Sequence, residues 1–189
     1  MIEEYQTASS SDWTKLTIKN SRFFSRIYPI KLKDDIKSLL ENTKREYKNP
    51  THIVYAYRLI NCDEISEYCT DAGEPANSSG PPILKVIKGA KLLNVCLIVV
   101  RFFGGVKLGI GGLIKAYTES AQMAIDNSQI ITKINYTTIH LTIKYNELGA
   151  VINKIEKSMG RIEKIEYGDM IKATAKVPYS ESRSFTNEK

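Results

Sequence analysis

The segment from Val95 to Asn127 constrains the fold of this 189-residue chain more than any other stretch. It opens with an uninterrupted apolar run, Val95 to Val100, which predicts a strand buried on both faces because neither face offers polar groups to water. Five glycines then fall within the ten residues from Phe103 to Gly112. Apolar residues at helical spacing follow from Leu113 to Asn127. A central strand that turns through glycines into a helix predicts a sheet covered by helices.

Alternating and helical patterns divide the rest of the first 132 residues into further elements. The loop from Asp71 to Pro82 is dense in turn-forming residues. The helix after it is expected to begin near Ser79, with prolines in its first turn. Strands are predicted at Lys15–Asn20, Arg22–Ile30, His52–Ile60 and Glu64–Thr70, and a helix at Asp34–Tyr47.

The pattern changes near Lys133, and the remaining residues predict a second unit. Strand, helix, strand and strand follow one another between Tyr136 and Val177, with a turn at Gly168-Asp169 between the last two strands. Such an order can close a small core of its own. We therefore expect an α+β protein with two α/β sandwich domains, residues 1–132 and residues 133–189.

Several classes of protein are disfavoured. The N-terminus carries acids where a secretory signal has basic residues, and the longest apolar run is far shorter than the roughly 20 residues of a membrane helix. We expect a cytoplasmic protein without a membrane partner. Cys62, Cys69 and Cys96 form no CxxC pair and the chain has only two histidines, so reduced thiols, no metal and no cofactor are predicted.

The net charge of +6 permits an acidic partner such as RNA, although a lysine-rich composition alone also produces it. Position is more informative than the total, because residues 75–118 contain no acid. The glycine-rich turn within that span is either a tight strand-to-helix connection or an anion cradle built from backbone N–H groups at a helix start. It fits neither the P-loop nor the dinucleotide-binding pattern. The candidate phosphate ligands are Arg101, Gly104, Gly105, Lys107, Gly109, Gly111, Gly112 and Lys115.

The loop before this segment holds two acids three residues apart, Asp71 and Glu74. Paired carboxylates can act as acid and base or hold a cation, but they also cap turns or lie in water. Neither Ser78 nor Ser79 lies in a nucleophile elbow, and His52 at a strand start is either a ligand contact or a structural histidine. The sequence assembles no catalytic set.

Four ordered blocks of the chain form a recognisable pattern. The blocks are Lys19-Asn20-Ser21-Arg22-Phe23, His52 through Leu59, Asp71-x-Gly73-Glu74-Pro75 with Gly80 and Pro82-Ile83-Leu84, and Asn94 through Tyr117. Together they resemble the Impact/YigZ family. Within these blocks, His52, Arg58, Asp71 and Glu74 are expected to shape a pocket beside the glycine-rich turn.

The resemblance implies a first domain with the fold shared by a small-subunit ribosomal protein and the fourth domain of elongation factor G. It implies a ferredoxin-like second domain similar to the fifth domain of that factor. Eukaryotic relatives restrain the starvation-responsive initiation-factor kinase by binding its activator, whereas the bacterial branch has no settled activity.

The chain departs from the family pattern in three places. Asn20 and Asn77 stand where the family usually has glycine, and Ser78-Ser79 replace a Thr-Ala pair. The second domain is expected to be incomplete or rearranged, because the sequence ends at Lys189 before a final helix and strand.

The function expected from these observations is non-enzymatic binding or regulation linked to translation. The partner would be RNA, the ribosome or a translation-associated protein, met through the basic glycine-rich turn. The alternative is an enzyme acting on a small phosphorylated or peptide-like substrate in the pocket beside Asp71 and Glu74.

Overall fold

A computed structural model of the chain describes residues 2–62 and 64–186. Within these ranges the chain forms two compact units, which we call the N-terminal unit (residues 6–132) and the C-terminal unit (residues 2–5 and 133–186). No helix of the described residues is long and apolar enough to span a bilayer. The fold is of the α+β class, with antiparallel sheets in both units.

The elements follow one another along the chain with short connections. The elements from residue 4 to residue 126 are β1 (Glu4–Ala8), β2 (Thr14–Ile18), β3 (Ser21–Pro29), α1 (Lys33–Glu46), β4 (His52–Asn61), β5 (Glu64–Thr70), α2 (Gly80–Gly89), β6 (Val95–Phe102) and α3 (Gly109–Asp126). They continue with β7 (Ile130–Ile134), β8 (Tyr136–Ile143), α4 (Leu148–Lys157), β9 (Arg161–Glu166), β10 (Ile171–Pro178) and α5 (Arg183–Thr186).

The N-terminal unit is built on a five-stranded antiparallel sheet with the order β2-β3-β6-β4-β5. Strand β6 lies in the middle, and seven of its eight residues are buried. This confirms the prediction from its apolar run. Burial on both faces follows because α1 packs on one face of the sheet and α2 and α3 pack on the other.

The two faces of β6 alternate residue by residue, as a strand requires. Val95, Leu97 and Val99 join the core under α2 and α3, together with Tyr117 of α3. Cys96, Ile98 and Val100 join the core under α1, together with Ile36. Cys96 is fully buried in this core.

In the C-terminal unit a three-stranded antiparallel sheet has the order β8-β10-β9. Its inward face packs with α4 through Ile155, which is fully buried, and Phe185 of α5 joins the same cluster. The strand–helix–strand–strand order predicted after Lys133 is present, with a short terminal helix added.

Three features differ from the sequence prediction. Helix α3 begins at Gly109, four residues before the predicted start at Leu113, because the N–H groups of a first helical turn need no partners in the helix and glycine is tolerated there. Strands β1 and β7, which the sequence did not predict, pair with each other as a two-stranded sheet. Residues 2–5 belong to the C-terminal unit, since Asn135 donates hydrogen bonds to the carbonyls of Ile2 and Glu3.

Gly104 is required by a close backbone approach at the end of β6. An added Cβ would lie 2.0 Å from the carbonyl carbon of Asn20 and 2.2 Å from the nitrogen of Ser21. The Gly104 N–H donates to the Ser21 hydroxyl across the same contact. Asn20 has φ 65°, a left-handed conformation that asparagine tolerates better than most residues. Asparagine can therefore replace the family's glycine at this turn.

This contact predicts unequal effects for two glycines of the same turn. Gly104→Ala should lower the free energy of unfolding by about 1–3 kcal/mol, because backbone must move to admit the methyl group. Gly111→Ala should leave it unchanged or raise it by up to about 1 kcal/mol, since nothing lies within 4 Å of its Cβ position and it is helical. Urea denaturation of both variants measures the difference. Equal midpoints would show that the approach at Gly104 is loose.

Candidate functional site

A cavity of about 390 Å³ opens where the end of β6, the acidic loop and the start of α3 meet. The antiparallel pairing of β4 and β6 places His52 opposite Arg101, so both reach this edge of the sheet. The acidic loop contributes Glu74 and Pro75, and the turn into α3 contributes Phe103 and Lys107. Three segments distant in sequence, residues 51–52, 74–75 and 101–113, therefore share one cavity.

The floor of the cavity is a buried ion pair. Nη1 of Arg101 lies 2.6 and 2.8 Å from the two carboxylate oxygens of Glu74, and both side chains are almost fully buried. The hydroxyl of Tyr117 donates to the same carboxylate at 2.6 Å. Burial, reinforced by this hydrogen bond to an anion, raises the pKa of Tyr117 and keeps its proton in place. The network joins β6, the acidic loop and α3.

His52 stands beside this pair with a fixed ring orientation. Its Nδ1 lies 2.9 Å from the carbonyl oxygen of Ala72, which can only accept, so Nδ1 carries a hydrogen and donates it. The other ring nitrogen, Nε2, lies 3.7 Å from Glu74 Oε2. His52 thus presents Nε2 toward the cavity floor.

Asp71 organises the acidic loop from within. Its carboxylate accepts hydrogen bonds from the N–H groups of Asn77, Ser79 and Gly80 and from the Ser79 hydroxyl, at 2.8–3.0 Å. Burial acts to raise the pKa of Asp71, but these four donors outweigh it and the pKa is lowered. Asn77, which replaces a family glycine, has φ 62° and keeps the loop closed onto this carboxylate.

The start of α3 supplies positive charge at the cavity mouth. Lys107 is exposed, and the first turn from Gly109 to Gly112 carries no acid. Within the described chain no side chain caps this helix, so its first N–H groups are available to a ligand. Nε of Arg101 is buried beneath the same cavity and has no hydrogen-bond partner among the described residues. An anion entering here would meet Lys107 and the N–H groups at the start of α3, whereas Nε of Arg101 is covered.

Apolar side chains surround the mouth, a feature that the sequence prediction missed. Phe103 is 46% exposed and Ile110 is 59% exposed, and both line the cavity. Val106 and Ile114 are exposed nearby in the chain. The spacing of Ile110 and Ile114, one helical turn apart on a helix start, is the signal that could have indicated an exposed apolar edge.

Part of the chain matches a known protein family. Residues 19–125 match the Impact N-terminal domain family, which covers more than half of the chain. The chain belongs to this family.

Several of the curated relatives are bacterial Impact-family proteins that are similar to this chain over most of its length. The IMPACT family member YvyE of Bacillus subtilis is 28% identical over 98% of this chain and 85% of its own. An IMPACT family member of Haemophilus influenzae is 30% identical over 82% of this chain and 76% of its own. A crystal structure of a hypothetical protein shares the fold with a TM-score of 0.78 at 24% identity, covering 98% of this chain and 90% of that one.

The structure of this Impact-family chain brings together five of the predicted site residues. The other predicted residues do not line the cavity; Gly111 and Gly112 lie within the first turn of α3, and Lys115 is exposed farther along it. The residues that line the cavity are His52, Glu74, Arg101, Lys107 and Gly109.

Three predicted roles need correction. Arg101 was expected to meet phosphate directly, but its Nη1 is held by Glu74 in the floor. Glu74 was weighed as a turn cap or a solvated acid, and it is buried in an ion pair. Arg58 lies six residues along β4 from His52, roughly 20 Å away, and it bonds Glu67 and the carbonyl of Leu92, so it does not shape the cavity.

The buried pair predicts strong coupling between its members. Glu74→Ala should lower the free energy of unfolding by about 3–5 kcal/mol, because Arg101 would remain buried without a counter-charge. The double variant Glu74→Ala, Arg101→Met should lose less than the sum of the single variants, since neither charge then remains. A double-mutant cycle by urea denaturation measures this coupling.

Glu119→Ala, which removes an exposed acid from α3, is the control and should change stability by less than about 0.5 kcal/mol. Strictly additive losses in the cycle would show that the ion pair does not hold the floor together.

Proposed function

We propose that this protein is a binding and regulatory protein linked to translation. We further propose that it contacts a phosphate-bearing partner at the start of α3, with RNA as the first candidate. The Impact family is linked to translation regulation, which supports the first part of the proposal. The cavity beside α3 supports the second part.

The observation that carries the proposal is the set of unmatched donors at the cavity. Lys107 is exposed at the mouth, the first N–H groups of α3 have no side-chain cap, and residues 75–118 contain no acid to compete with an anion. Glu74 lies in the floor but is neutralised by Arg101. Backbone N–H groups and a lysine that are not paired with an acidic side chain favour a phosphate group over a cation or a neutral ligand.

The apolar side chains at the mouth of the cavity are also suited to a nucleic-acid strand. A phosphate at the helix start would leave the adjacent base or sugar beside the rings and aliphatic chains of Phe103 and Ile110. Base stacking on an exposed aromatic ring adds affinity without sequence preference. This arrangement suits a protein that recognises RNA by its backbone and open bases.

A second candidate, an enzyme acting on a small phosphorylated or peptide-like substrate, is favoured by His52. Its ring is oriented by Ala72, and Nε2 lies at a cavity of a size that admits a small molecule. Against this candidate, both acids are already engaged, Asp71 by four donors and Glu74 by Arg101 and Tyr117. A turnover screen of the wild type and of His52→Ala separates the two functions, since only the enzyme loses activity when Nε2 is removed.

The charge at the α3 start predicts a specific order of RNA-binding defects. Lys107→Glu should weaken binding of a short oligoribonucleotide more than Lys107→Ala, because a carboxylate there repels phosphate. Loss of one contact should flatten the slope of log affinity against log salt by roughly 0.7–0.9. Fluorescence anisotropy over a salt series gives both quantities.

Lys85→Glu is the matched control, an equal charge change at an exposed position of α2 in the same acid-free segment. Its effect should be limited to the small change expected from net charge. If Lys85→Glu weakens binding as much as Lys107→Glu, the start of α3 is a structural turn and the proposal fails.

A further inference from the structure

A groove lies on the other face of the five-stranded sheet, between α1 and the edge strand β5. Its volume is about 350 Å³, and its walls come from one side of α1 and from the α1-facing side of β4 and β5. Because α3 packs on the opposite face of the sheet, this groove is separate from the cavity described above.

Three tyrosines form the sheet side of the groove. Tyr68 of β5 stacks on Tyr57 of β4 with ring centroids 5.8 Å apart and an angle of 26° between the rings. Tyr55 lies 5.8 Å from Tyr68 at an angle of 38°. Tyr57 is buried, whereas Tyr68 is 47% exposed. The cross-strand pairing thus places one exposed aromatic ring against two neighbouring rings.

Two lysines form the helix side of the groove. Lys33 and Lys37 are four residues apart on α1, so they lie on the same side of the helix, one turn from each other. No acid is among the described residues that line the groove. Lys33 also lines a neighbouring cavity of about 520 Å³, which adds Lys31 and one acid, Glu64. The described lining of the two cavities therefore includes three lysines and one carboxylate.

Two other acids of this region are engaged elsewhere. The Asp35 carboxylate accepts hydrogen bonds from the backbone N–H groups of Lys31 and Leu32 and caps the start of α1. Glu67 of β5 is directed to the opposite face of the sheet, where it pairs with Arg58 and Lys88. The described residues that line the groove therefore include two lysines and no acid, whereas Asp34 and Glu41 are exposed on α1 outside the lining.

We infer that this groove, which we call the tyrosine groove (Lys33, Lys37, Tyr55, Tyr57 and Tyr68), binds single-stranded RNA. An unstacked base lies on the ring of Tyr68, and successive phosphates meet Lys37 and Lys33. A duplex does not fit this chemistry, because its bases are already stacked and offer no open face to the ring. The choice of RNA over DNA rests on the proposed link to translation. The location of the groove follows from the structure and does not depend on that link.

Removal of the exposed ring should weaken binding of a short oligouridylate to the full chain by about 5- to 150-fold. We choose Tyr68→Thr because threonine suits an edge strand, and Tyr68→Phe as the matched variant that keeps the ring and the affinity. Anisotropy gives the affinities, and unchanged urea midpoints show that both variants fold. Should Tyr68→Thr unfold, the salt dependence of the lysine variants decides alone.

The double variant Lys33→Ala, Lys37→Ala should flatten the salt slope for the same oligouridylate by about 1.4, which corresponds to two phosphate contacts on a single strand. Its control is Lys44→Ala, Lys48→Ala, which removes the same charge from exposed positions outside the groove. Equal slopes for the two double variants, or a Tyr68→Thr protein with wild-type affinity, would overturn the inference.

The same titrations separate this inference from the proposed function. If Lys107→Glu weakens oligouridylate binding and the groove variants do not, the site at α3 stands and the tyrosine groove is rejected. If the groove variants weaken binding and Lys107→Glu does not, the groove stands alone. Tighter binding of oligothymidylate than of oligouridylate would overturn the choice of RNA.

Discussion

The N-terminal unit depends on one buried ion pair, between Arg101 at the end of β6 and Glu74 in the acidic loop. Each charge alone would be costly to bury, so the loop must return to the sheet edge for the core to close. Tyr117 donates to the same carboxylate and draws α3 into the arrangement. The guanidinium also lies 5.4 Å from the centroid of the Phe23 ring, which packs edge-on against Tyr117. A single polar network therefore sets the positions of a strand, a loop and a helix.

This network also determines what remains available to a ligand. Because Glu74 neutralises Arg101 and Asp71 is committed to the backbone of its loop, neither acid presents free negative charge at the cavity. Lys107 and the first turn of α3 then dominate the local field. The opposite face of the sheet is arranged in a similar way, with Asp35 committed to the start of α1 and Lys33 and Lys37 left exposed. On each face one acid near these lysines is thus held by hydrogen bonds to backbone, Asp71 on one face and Asp35 on the other.

Much of the fold was predictable because it follows from local patterns. The apolar run of β6 predicts a buried strand, and the spacing of Ile36, Leu39 and Leu40 predicts an amphipathic helix at α1. Both elements are present. Strands β1 and β7 were missed because both are short and mostly polar or exposed, so their pairing rather than their sequence makes them strands. The start of α3 was placed too late because its glycines carry no helical preference of their own.

The site was predictable only in part, for a related reason. His52, Glu74, Arg101 and Lys107 could be grouped from the blocks that carry them, but their roles depend on contacts across the fold. Arg101 and Glu74 are 27 positions apart, and no sequence spacing indicates that they pair. The exposure of Tyr68 in β5 is likewise invisible in the sequence, because an aromatic residue in a strand is usually buried. Phe103 directly follows the buried strand β6, so the sequence does not show that its ring is exposed either.

Binding of RNA by the exposed lysines of the N-terminal unit can be mapped on the full chain. Backbone amide chemical shifts of the isotope-labelled protein are followed while a short oligouridylate is added. The largest changes should fall in residues 105–113 and in residues 66–69, and added salt should reverse them. Changes confined to residues 133–186, or no change at any concentration, would contradict RNA binding by these lysines.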